Sequence, residues 1–215
     1  MNHGSPSVEV PNYRLIRQIG SGANGTVWLA YNPTAKQHRA VKIIERRDDC
    51  HEASFHRELE GIRLFQHIGK HHLELLHIHD IGADTAGRWF YYVMELADDE
   101  NGKVWLDEPN YPWDAYRPKT LRSVISENCL TPTEVLGLVR PLADSLFVLH
   151  GNDLVHRDLK PQNVIFVDGV PKLADIGLMT QAGAEDYVGT SGYVSPDGFG
   201  RPKGDLYGLG KILYQ

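Results

Sequence analysis

Residues 154–177, LVHRDLKPQNVIFVDGVPKLADIG, contain the pattern on which the fold prediction depends. The short apolar run Val164–Val167 predicts a β-strand. Asp168-Gly169 is typical of a two-residue hairpin turn, and Pro171–Ala174 then predicts the return strand. Because such a hairpin folds the chain back on itself, the polar residues before its first strand and after its second are expected to lie close together.

Four polar side chains flank this hairpin, and their chemistry suggests a function. Asn163 precedes the first strand and Asp175 follows the second, whereas Asp158 and Lys160 lie just upstream on the same loop. Carboxylate and amide oxygens suit Mg²⁺, which keeps phosphate oxygens among its ligands. A carboxylate that binds no metal can accept a proton from an attacking hydroxyl, and an ammonium can hold a transferring phosphate. The pattern favours phosphoryl transfer from a nucleotide.

The segment 156–163 (HRDLKPQN), followed by 175–177 (DIG), resembles the catalytic loop and metal motif of eukaryotic-type Ser/Thr protein kinases. The resemblance implies an α+β fold of two lobes, with an antiparallel sheet and one helix in the N-terminal lobe and a mainly helical C-terminal lobe. The layout of the chain is more similar to bacterial than to animal members of this family.

The resemblance also implies a role for each polar residue of the loop. Asp158 would be the catalytic base, and Lys160 would steady the γ-phosphate of ATP. Asn163 and Asp175 would bind Mg²⁺. Lysine at position 160, where tyrosine kinases usually have alanine, favours specificity for Ser and Thr.

A glycine-rich stretch near the N-terminus, Gly20–Val27 (GSGANGTV), has the spacing G-x-G-x-x-G. Alone, this spacing also fits a dinucleotide-binding fold or a plain glycine hairpin. Two details favour the kinase loop: a strand predicted at Thr26–Tyr31 stands where a dinucleotide fold has a helix, and the motif ends in G-x-V. The resemblance implies that the nucleotide lies against Gly20, Ser21, Gly22, Gly25 and Val27.

Lys42 lies inside an apolar strand predicted at His38–Ile44, where an ammonium is costly to bury unless it is paired. It could also be an exposed lysine on a half-buried strand. The resemblance implies that Lys42 holds the α- and β-phosphates and pairs with Glu58, on a helix predicted from about 51 to 66. Glu60 is the alternative partner, but Glu58 shares the apolar stripe of that helix.

The apolar segment Trp89–Leu96 (WFYYVMEL) resembles the strand and hinge that join the lobes of a kinase. This match implies that Met94 is the gatekeeper residue and that the backbone of Glu95 and Ala97 binds the edge of adenine. The faces of the ring would then contact three apolar side chains, Val27, Ala40 and Ile165. All of these apolar residues are equally compatible with a simple core.

Residues after the catalytic loop resemble an activation segment. Thr190 would lie near Asp158 and Lys160, and Asp205 would accept hydrogen bonds from the backbone of the loop. Four hydroxyls are candidates for regulatory phosphorylation, and the sequence does not rank them: Thr180, Tyr187, Thr190 and Ser191.

The stretch 98–119 (DDENGKVWLDEPNYPWDAYRPK) departs from the compact family pattern. It is predicted to be an insertion at the mouth of the nucleotide cleft, either shaping a substrate groove or only covering the surface. The helix that follows should begin at Thr131, because Thr131-Pro132-Thr133-Glu134 combines a capping residue, an early proline and a Glu three positions later.

Composition limits the class of protein. The chain has 215 residues, of which 41% are hydrophobic and 23% charged, as in an ordinary globular protein. Its net charge of −6 argues against general nucleic-acid binding. Two cysteines without metal-binding spacing, and the lack of an apparent signal peptide or of an apolar run long enough to span a membrane, favour a reducing, cytoplasmic location.

The predicted organisation is a flexible N-terminus (1–11), an N-terminal lobe (12–95) and a C-terminal lobe (96–215), truncated in the helix that supports the catalytic loop. The favoured function is Mg²⁺-dependent transfer of phosphate from ATP to Ser and Thr of protein substrates, including the chain itself. Two alternatives remain: an ATP-binding scaffold without turnover, and a kinase of the same fold acting on a small molecule.

Overall fold

The structure is a computed structural model. It describes residues 8–22, 25–46, 52–102, 111–127, 130–176, 180–181, 190, 192–193, 195–196 and 200–214. The N-terminal half forms an antiparallel sheet and one long helix, and the C-terminal half is mainly helical, as the sequence predicted.

The sheet has five strands in the order β1-β2-β3-β5-β4, and all neighbours are antiparallel. Their bounds are β1 (Arg14–Gly22), β2 (Gly25–Asn32), β3 (Gln37–Glu45), β4 (Ile78–Ala83) and β5 (Trp89–Met94). The glycine-rich stretch joins β1 to β2, and Gly22 is paired with Gly25 at the end of this ladder. Ala23 and Asn24 lie outside the described residues.

Helix α1 (Glu52–Gly69) packs against one face of the sheet. Its predicted stripe of Phe55, Leu59, Ile62 and Phe65 is buried, which confirms the helical periodicity. The helix continues three residues beyond the predicted end, and the added turn buries Ile68 in the same core.

The other face of the sheet is covered in part by the N-terminal segment. Val8 and Val10 are buried against Trp28, Val41 and Val93, whereas Glu9 between them is exposed. Within the segment 1–11, which the sequence predicted to be flexible, these alternating valines therefore cover an apolar sheet face that would otherwise meet water.

The C-terminal half contains the remaining elements: α2 (Leu121–Glu127), α3 (Pro132–Gly151), β6 (Leu154–Val155), β7 (Val164–Val167), β8 (Val170–Leu173), β9 (Thr180–Gln181) and α4 (Pro202–Tyr214). Helix α3 begins at the predicted place, with a complete capping box between Thr131 and Glu134. In the part of the chain that the structure describes, no helix has the length and hydropathy of a membrane span.

Strands β7 and β8 form the predicted hairpin. Asp168 and Gly169 at its turn have φ of +50° and +77°, as a two-residue turn of type I′ requires. The carboxylate of Asp98 accepts hydrogen bonds from the backbone N–H groups of both turn residues, at 2.9 and 2.8 Å. Below the hairpin, the N–H of Ala174 donates to the carbonyl of Asn163 at 2.8 Å, so the ends of the two strands are held together.

Helix α4 packs closely against the loop that precedes this hairpin. A Cβ atom at Gly208 would lie 2.9 Å from the Cβ of Leu159 and 3.3 Å from its carbonyl oxygen. Gly210, two residues further along the same helix, has open space where a Cβ atom would lie. The glycine at position 208 therefore permits the close approach of α4 to the loop.

We expect Gly208→Ala to lower the free energy of unfolding by about 1–3 kcal/mol, because the added methyl group must displace Leu159. Gly210→Ala is the matched control and should raise it by up to about 1 kcal/mol, since alanine favours a helix. Urea unfolding of both variants checks this pair. Equal effects of the two substitutions would contradict the close packing.

Candidate active site

A cavity of about 500 Å³ lies between the sheet and the C-terminal half. The residues predicted to bind a nucleotide line it, and they include glycine-rich strand ends, apolar side chains and the hinge: Gly20, Ser21, Gly25, Val27, Ala40, Lys42, Met94, Glu95, Ala97 and Ile165. Lys160, Asn163, Asp175 and Thr190 line its inner end. Gly22 is not among the lining residues.

Several lining residues were not predicted: Ile19, Tyr116, Pro118, Thr120 and Gln162. The signal for Ile19 was its position directly before Gly20 on a strand. Tyr116 and Pro118 belong to the stretch predicted as an insertion at the mouth of the cleft, but no feature of the sequence singled out these two residues.

The position of Gly25 explains why this strand end carries glycine. Its φ is +126°, and a Cβ atom there would collide with the carbonyl oxygen of Ile43 on β3. Without a side chain, the backbone of β2 can lie close beside its neighbour β3 at this point. Gly25 forms the roof of the cavity together with Gly20 and Ser21 of β1.

Asp158 is surrounded by hydrogen-bond donors. Its Oδ1 accepts from the hydroxyl of Thr190 at 2.6 Å, and its Oδ2 accepts from Nζ of Lys160 at 2.7 Å and Nδ2 of Asn163 at 2.8 Å. Burial alone would raise the pKa of Asp158, but the hydrogen bonds from Lys160 and Thr190 hold it below its usual value. The carboxylate is therefore ionised at neutral pH.

Lys160 and Thr190 also contact each other, since Nζ of Lys160 donates to the Thr190 hydroxyl at 2.8 Å. The structure thus brings Thr190 to the two residues near which the sequence placed it. Of the other candidate phosphorylation sites, Thr180 begins β9, and Tyr187 and Ser191 lie outside the described residues.

Asp205 on α4 holds the backbone of the catalytic loop, residues 156–163. Its carboxylate accepts from the N–H groups of His156 and Arg157, both at 2.8 Å, and lies 2.9 Å from Nε2 of His150. Arg157 has a φ of +72°, a conformation that a non-glycine residue rarely adopts without such support. The predicted interaction of Asp205 with the loop backbone is present.

The expected ion pair of Lys42 with Glu58 is not formed. Nζ of Lys42 instead contacts Oδ1 of Asp175, whereas Oε1 of Glu58 is buried without a hydrogen-bond partner in the described part of the chain. Burial opposes the ammonium, yet Tyr92, Asp175 and Glu58 together raise the pKa of Lys42 above its usual value. Two carboxylates compete for one cation here, and the cation contacts the one on the opposite side of the cavity.

Glu58 consequently has an unusual pKa. Burial raises it from 4.5 to about 7; Lys42 opposes this rise, and the negative charge of Asp175 adds to it. A glutamate in this position exchanges a proton near neutral pH.

At the hinge, Glu95 is fixed through both backbone and side chain. Its N–H donates to the carbonyl of His77 at 3.1 Å, and its carboxylate accepts from Nζ of Lys172 at 2.8 and 3.0 Å. The Tyr116 hydroxyl donates to the carbonyl of Ala97 at 2.9 Å. In the described part of the chain no hydrogen bond uses the carbonyl of Glu95 or the N–H of Ala97, so one acceptor and one donor remain for a ligand.

Asn163 and Asp175 have the chemistry of a magnesium site. Nδ2 of Asn163 donates to the carbonyl and carboxylate of Asp158, at 2.9 and 2.8 Å, which leaves its amide oxygen without a donor in the described residues. This oxygen and the carboxylate of Asp175 belong to the same cavity. A hard cation with phosphate ligands fits this pair of oxygen donors.

Comparison with known proteins identifies the family to which the sequence is similar. The sequence matches the protein kinase domain family over residues 13–215. It is 29% identical to serine/threonine-protein kinase PknL of Mycobacterium tuberculosis, over 94% of this chain and 48% of that protein. It is 28% identical to serine/threonine-protein kinase Pkn1 of Myxococcus xanthus, over 97% of this chain and 29% of that protein. For serine/threonine-protein kinase PrkC of Bacillus subtilis, the identity is 26%, over 94% of this chain and 30% of that protein. The chain spans less than half the length of these curated relatives.

Stability should depend on pH through Glu58. Because its pKa is about 7 in the folded chain against an ordinary 4.5, the folded state binds the extra proton between these values. The contribution of this proton to the free energy of unfolding is present in full below pH 4.5 and is lost as the pH rises through about 7. Relative to Glu58→Gln, the free energy of unfolding of the wild type should therefore fall by on the order of 1–3 kcal/mol between pH 4.5 and pH 8.

Urea unfolding at several pH values measures this difference. Glu60→Gln is the matched control, since it removes the same charge from an exposed position of the same helix, and it should keep the wild-type slope. A Glu58→Gln variant whose stability follows that of the wild type at every pH would show that Glu58 does not titrate in this range.

Proposed function

Because this chain belongs to the protein kinase domain family, we propose that it transfers the γ-phosphate of ATP to Ser and Thr hydroxyls of protein substrates, itself included. One observation carries this proposal: the hydroxyl of Thr190 donates to Oδ1 of Asp158 at 2.6 Å while Lys160 donates to Oδ2. The carboxylate of Asp158 can therefore receive an aliphatic hydroxyl at the inner end of the nucleotide cavity.

Asp158 is the proposed catalytic base, and its low pKa bears on how it acts. A carboxylate that remains ionised is a weak base, so most of its effect comes from orienting the substrate hydroxyl toward the phosphate. It accepts the proton as the hydroxyl oxygen bonds to the γ-phosphorus and becomes acidic, while the bond from that phosphorus to the bridging oxygen breaks and ADP leaves. The backbone contacts of Asp205 keep the loop rigid, which preserves this orientation.

Two lysines and two oxygen donors act on the phosphates. Lys160 steadies the γ-phosphate next to Asp158, and Lys42 holds the α- and β-phosphates. Asn163 and Asp175 would hold Mg²⁺, which would supply positive charge to neutralise the phosphates. Lys42 contacts Asp175, so the ammonium of Lys42 lies next to a carboxylate that would hold the metal.

The remaining cavity suits adenine. The carbonyl of Glu95 and the N–H of Ala97 provide one acceptor and one donor for the edge of the base. Val27, Ala40 and Ile165 contact its faces, and Met94 closes the rear of the cavity as the gatekeeper residue. The ion pair of Glu95 with Lys172 supports this role, because it directs the Glu95 side chain away from the base.

A second candidate function is binding of ATP without turnover. The contact between Lys42 and Asp175 favours it, because that contact occupies a carboxylate that catalysis needs for the metal. At the same time, Oε1 of Glu58, the expected partner of Lys42, is buried without a hydrogen-bond partner among the described residues. The two candidate functions differ in one measurable respect: only the kinase transfers phosphate from ATP to a hydroxyl.

The experiment compares the purified wild type with Asp158→Asn, using Mg²⁺, ATP and a generic Ser/Thr peptide, with mass spectrometry to count added phosphate. We expect Asp158→Asn to reduce the rate by about 10²–10⁴-fold, because it removes the proton acceptor. Asp153→Asn is the matched control: Asp153 is exposed, its φ of +57° suits asparagine, and its substitution should leave the rate unchanged.

Three outcomes are distinguishable. Phosphate that disappears only in Asp158→Asn supports the kinase. Mg²⁺-dependent ATP binding by the wild type without any transfer supports the second function. Transfer that survives in Asp158→Asn would mean that another residue is the base.

A further inference from the structure

Residues 111–118, which we call the aromatic strap, cross from the hinge region to the sheet. On the hinge side, the strap is anchored by Asp99, a buried residue. The hydroxyl of Tyr111 donates to Oδ2 of Asp99, and the N–H of Arg117 donates to Oδ1 at 3.3 Å. A backbone hydrogen bond of 2.8 Å from Glu100 to the carbonyl of Arg117 completes this attachment.

On the sheet side, Arg17 of β1 binds the backbone of the strap. Its Nε donates to the carbonyl of Trp113 at 3.1 Å, and its Nη2 donates to the carbonyl of Tyr116. A planar guanidinium can reach two carbonyls at once because its donors form a fixed fork. Hydrogen bonds from a charged donor are also stronger than those between neutral groups.

A stacked ring pair provides a second contact with the sheet. Trp113 lies on the ring of His38 on β3, with 3.5 Å between centroids and 23° between planes. Burial, with a smaller effect of Arg14, lowers the pKa of His38 to about 4, so the ring is neutral at physiological pH. The strap therefore contacts β1 through Arg17 and β3 through His38.

The strap and β1 meet at the edge of the nucleotide cavity. Arg17 stands two residues before Ile19 and three before Gly20, and both of these line the cavity. Tyr116 lines the same cavity from the strap, with its hydroxyl on the carbonyl of Ala97 at the hinge. Arg17 thus connects β1, whose end belongs to the roof of the cavity, to the aromatic strap, which is fixed at the hinge.

We propose that Arg17 is a positioning residue for the nucleotide. By binding β1 to the aromatic strap, Arg17 keeps the roof of the cavity at the distance from the hinge that the nucleotide requires. Arg17 acts through β1 and Tyr116 and is not itself a cavity-lining residue. The inference rests on the proposed ATP site but extends it, because it assigns residues 111–118 a part in nucleotide affinity. Without the clamp, β1 and its roof can move away from the hinge, and bound nucleotide loses contacts.

The test measures the dissociation constant of Mg-ATP together with KM for ATP, KM for peptide and kcat. Arg17→Ala should weaken Mg-ATP binding about tenfold, with an equal rise in KM for ATP and little change in kcat or in KM for peptide. Arg17→Lys should give an intermediate loss, because an ammonium can bind one carbonyl but lacks the fork. Arg14→Ala is the matched control on the same strand, because exposed Arg14 lies over the ring of Tyr31 and has only a minor effect on the pKa of His38, which burial dominates. This variant should bind Mg-ATP as the wild type does.

Trp113→Ala tests the same clamp from the strap. It should raise the dissociation constant in the same direction as Arg17→Ala, and the double variant should lose much less than the product of the two single losses, because both substitutions release one segment. If Arg17→Ala does not fold, Arg17→Lys and Trp113→Ala still decide the question. Binding and kinetics are measured at a temperature at which urea unfolding shows each variant to be fully folded, because a reversibly unfolded fraction would itself raise the apparent dissociation constant and KM for ATP.

The outcomes separate this inference from the function on which it rests. A wild type that does not bind Mg-ATP overturns both. A wild type that binds Mg-ATP, with Arg17→Ala binding equally well, overturns the role of Arg17 alone. A loss confined to kcat also overturns it, since a positioning residue for the nucleotide must act on affinity.

Discussion

The catalytic loop depends on one buried carboxylate. Asp205, almost fully removed from solvent, accepts hydrogen bonds from two successive N–H groups of the loop, those of His156 and Arg157. An acceptor with a full negative charge offsets the unfavourable backbone conformation at Arg157 and the desolvation of both N–H groups. Since Asp158 follows directly, the direction of its carboxylate is determined from α4, a helix that provides no residue of the cavity.

Charge balance is the second constraint on this site. Lys42, Asp175 and Glu58 lie close together in a partly desolvated region, and one cation cannot neutralise two carboxylates. In this structure the cation contacts Asp175, and the excess negative charge is relieved at Glu58, whose pKa rises toward neutrality. A metal ion bound by Asn163 and Asp175 would add positive charge next to Lys42, which is the condition under which both carboxylates can remain ionised.

The roof and the hinge of the cavity are each held by contacts with residues outside the cavity. Lys172 on β8 binds the carboxylate of Glu95, and Asp98 binds the turn of the β7–β8 hairpin, so the hinge and the hairpin form one unit. The roof has no comparable support from the sheet alone, because β1 is an edge strand with a neighbour on one side only. The aromatic strap provides the missing contact through Arg17, and this gives a stretch that departs from the family pattern a physical connection with the nucleotide site.

The sequence by itself determined the local elements and most of the residues that line the cavity. The hairpin after Asn163 follows from an apolar run and an Asp-Gly turn, the start of α3 from its capping box, and α1 from residues at helical spacing, because each of these depends on neighbours within a few positions. The recognised motifs similarly identified Asp158, Lys160 and Thr190, which the fold brings into contact. Only the tertiary structure decided which carboxylate Lys42 contacts, since Glu58 and Asp175 reach it from different elements and their order of preference depends on distance and desolvation. The same holds for Arg17, whose partners in the strap lie 96 and 99 residues away and present backbone carbonyls, which carry no mark in a sequence.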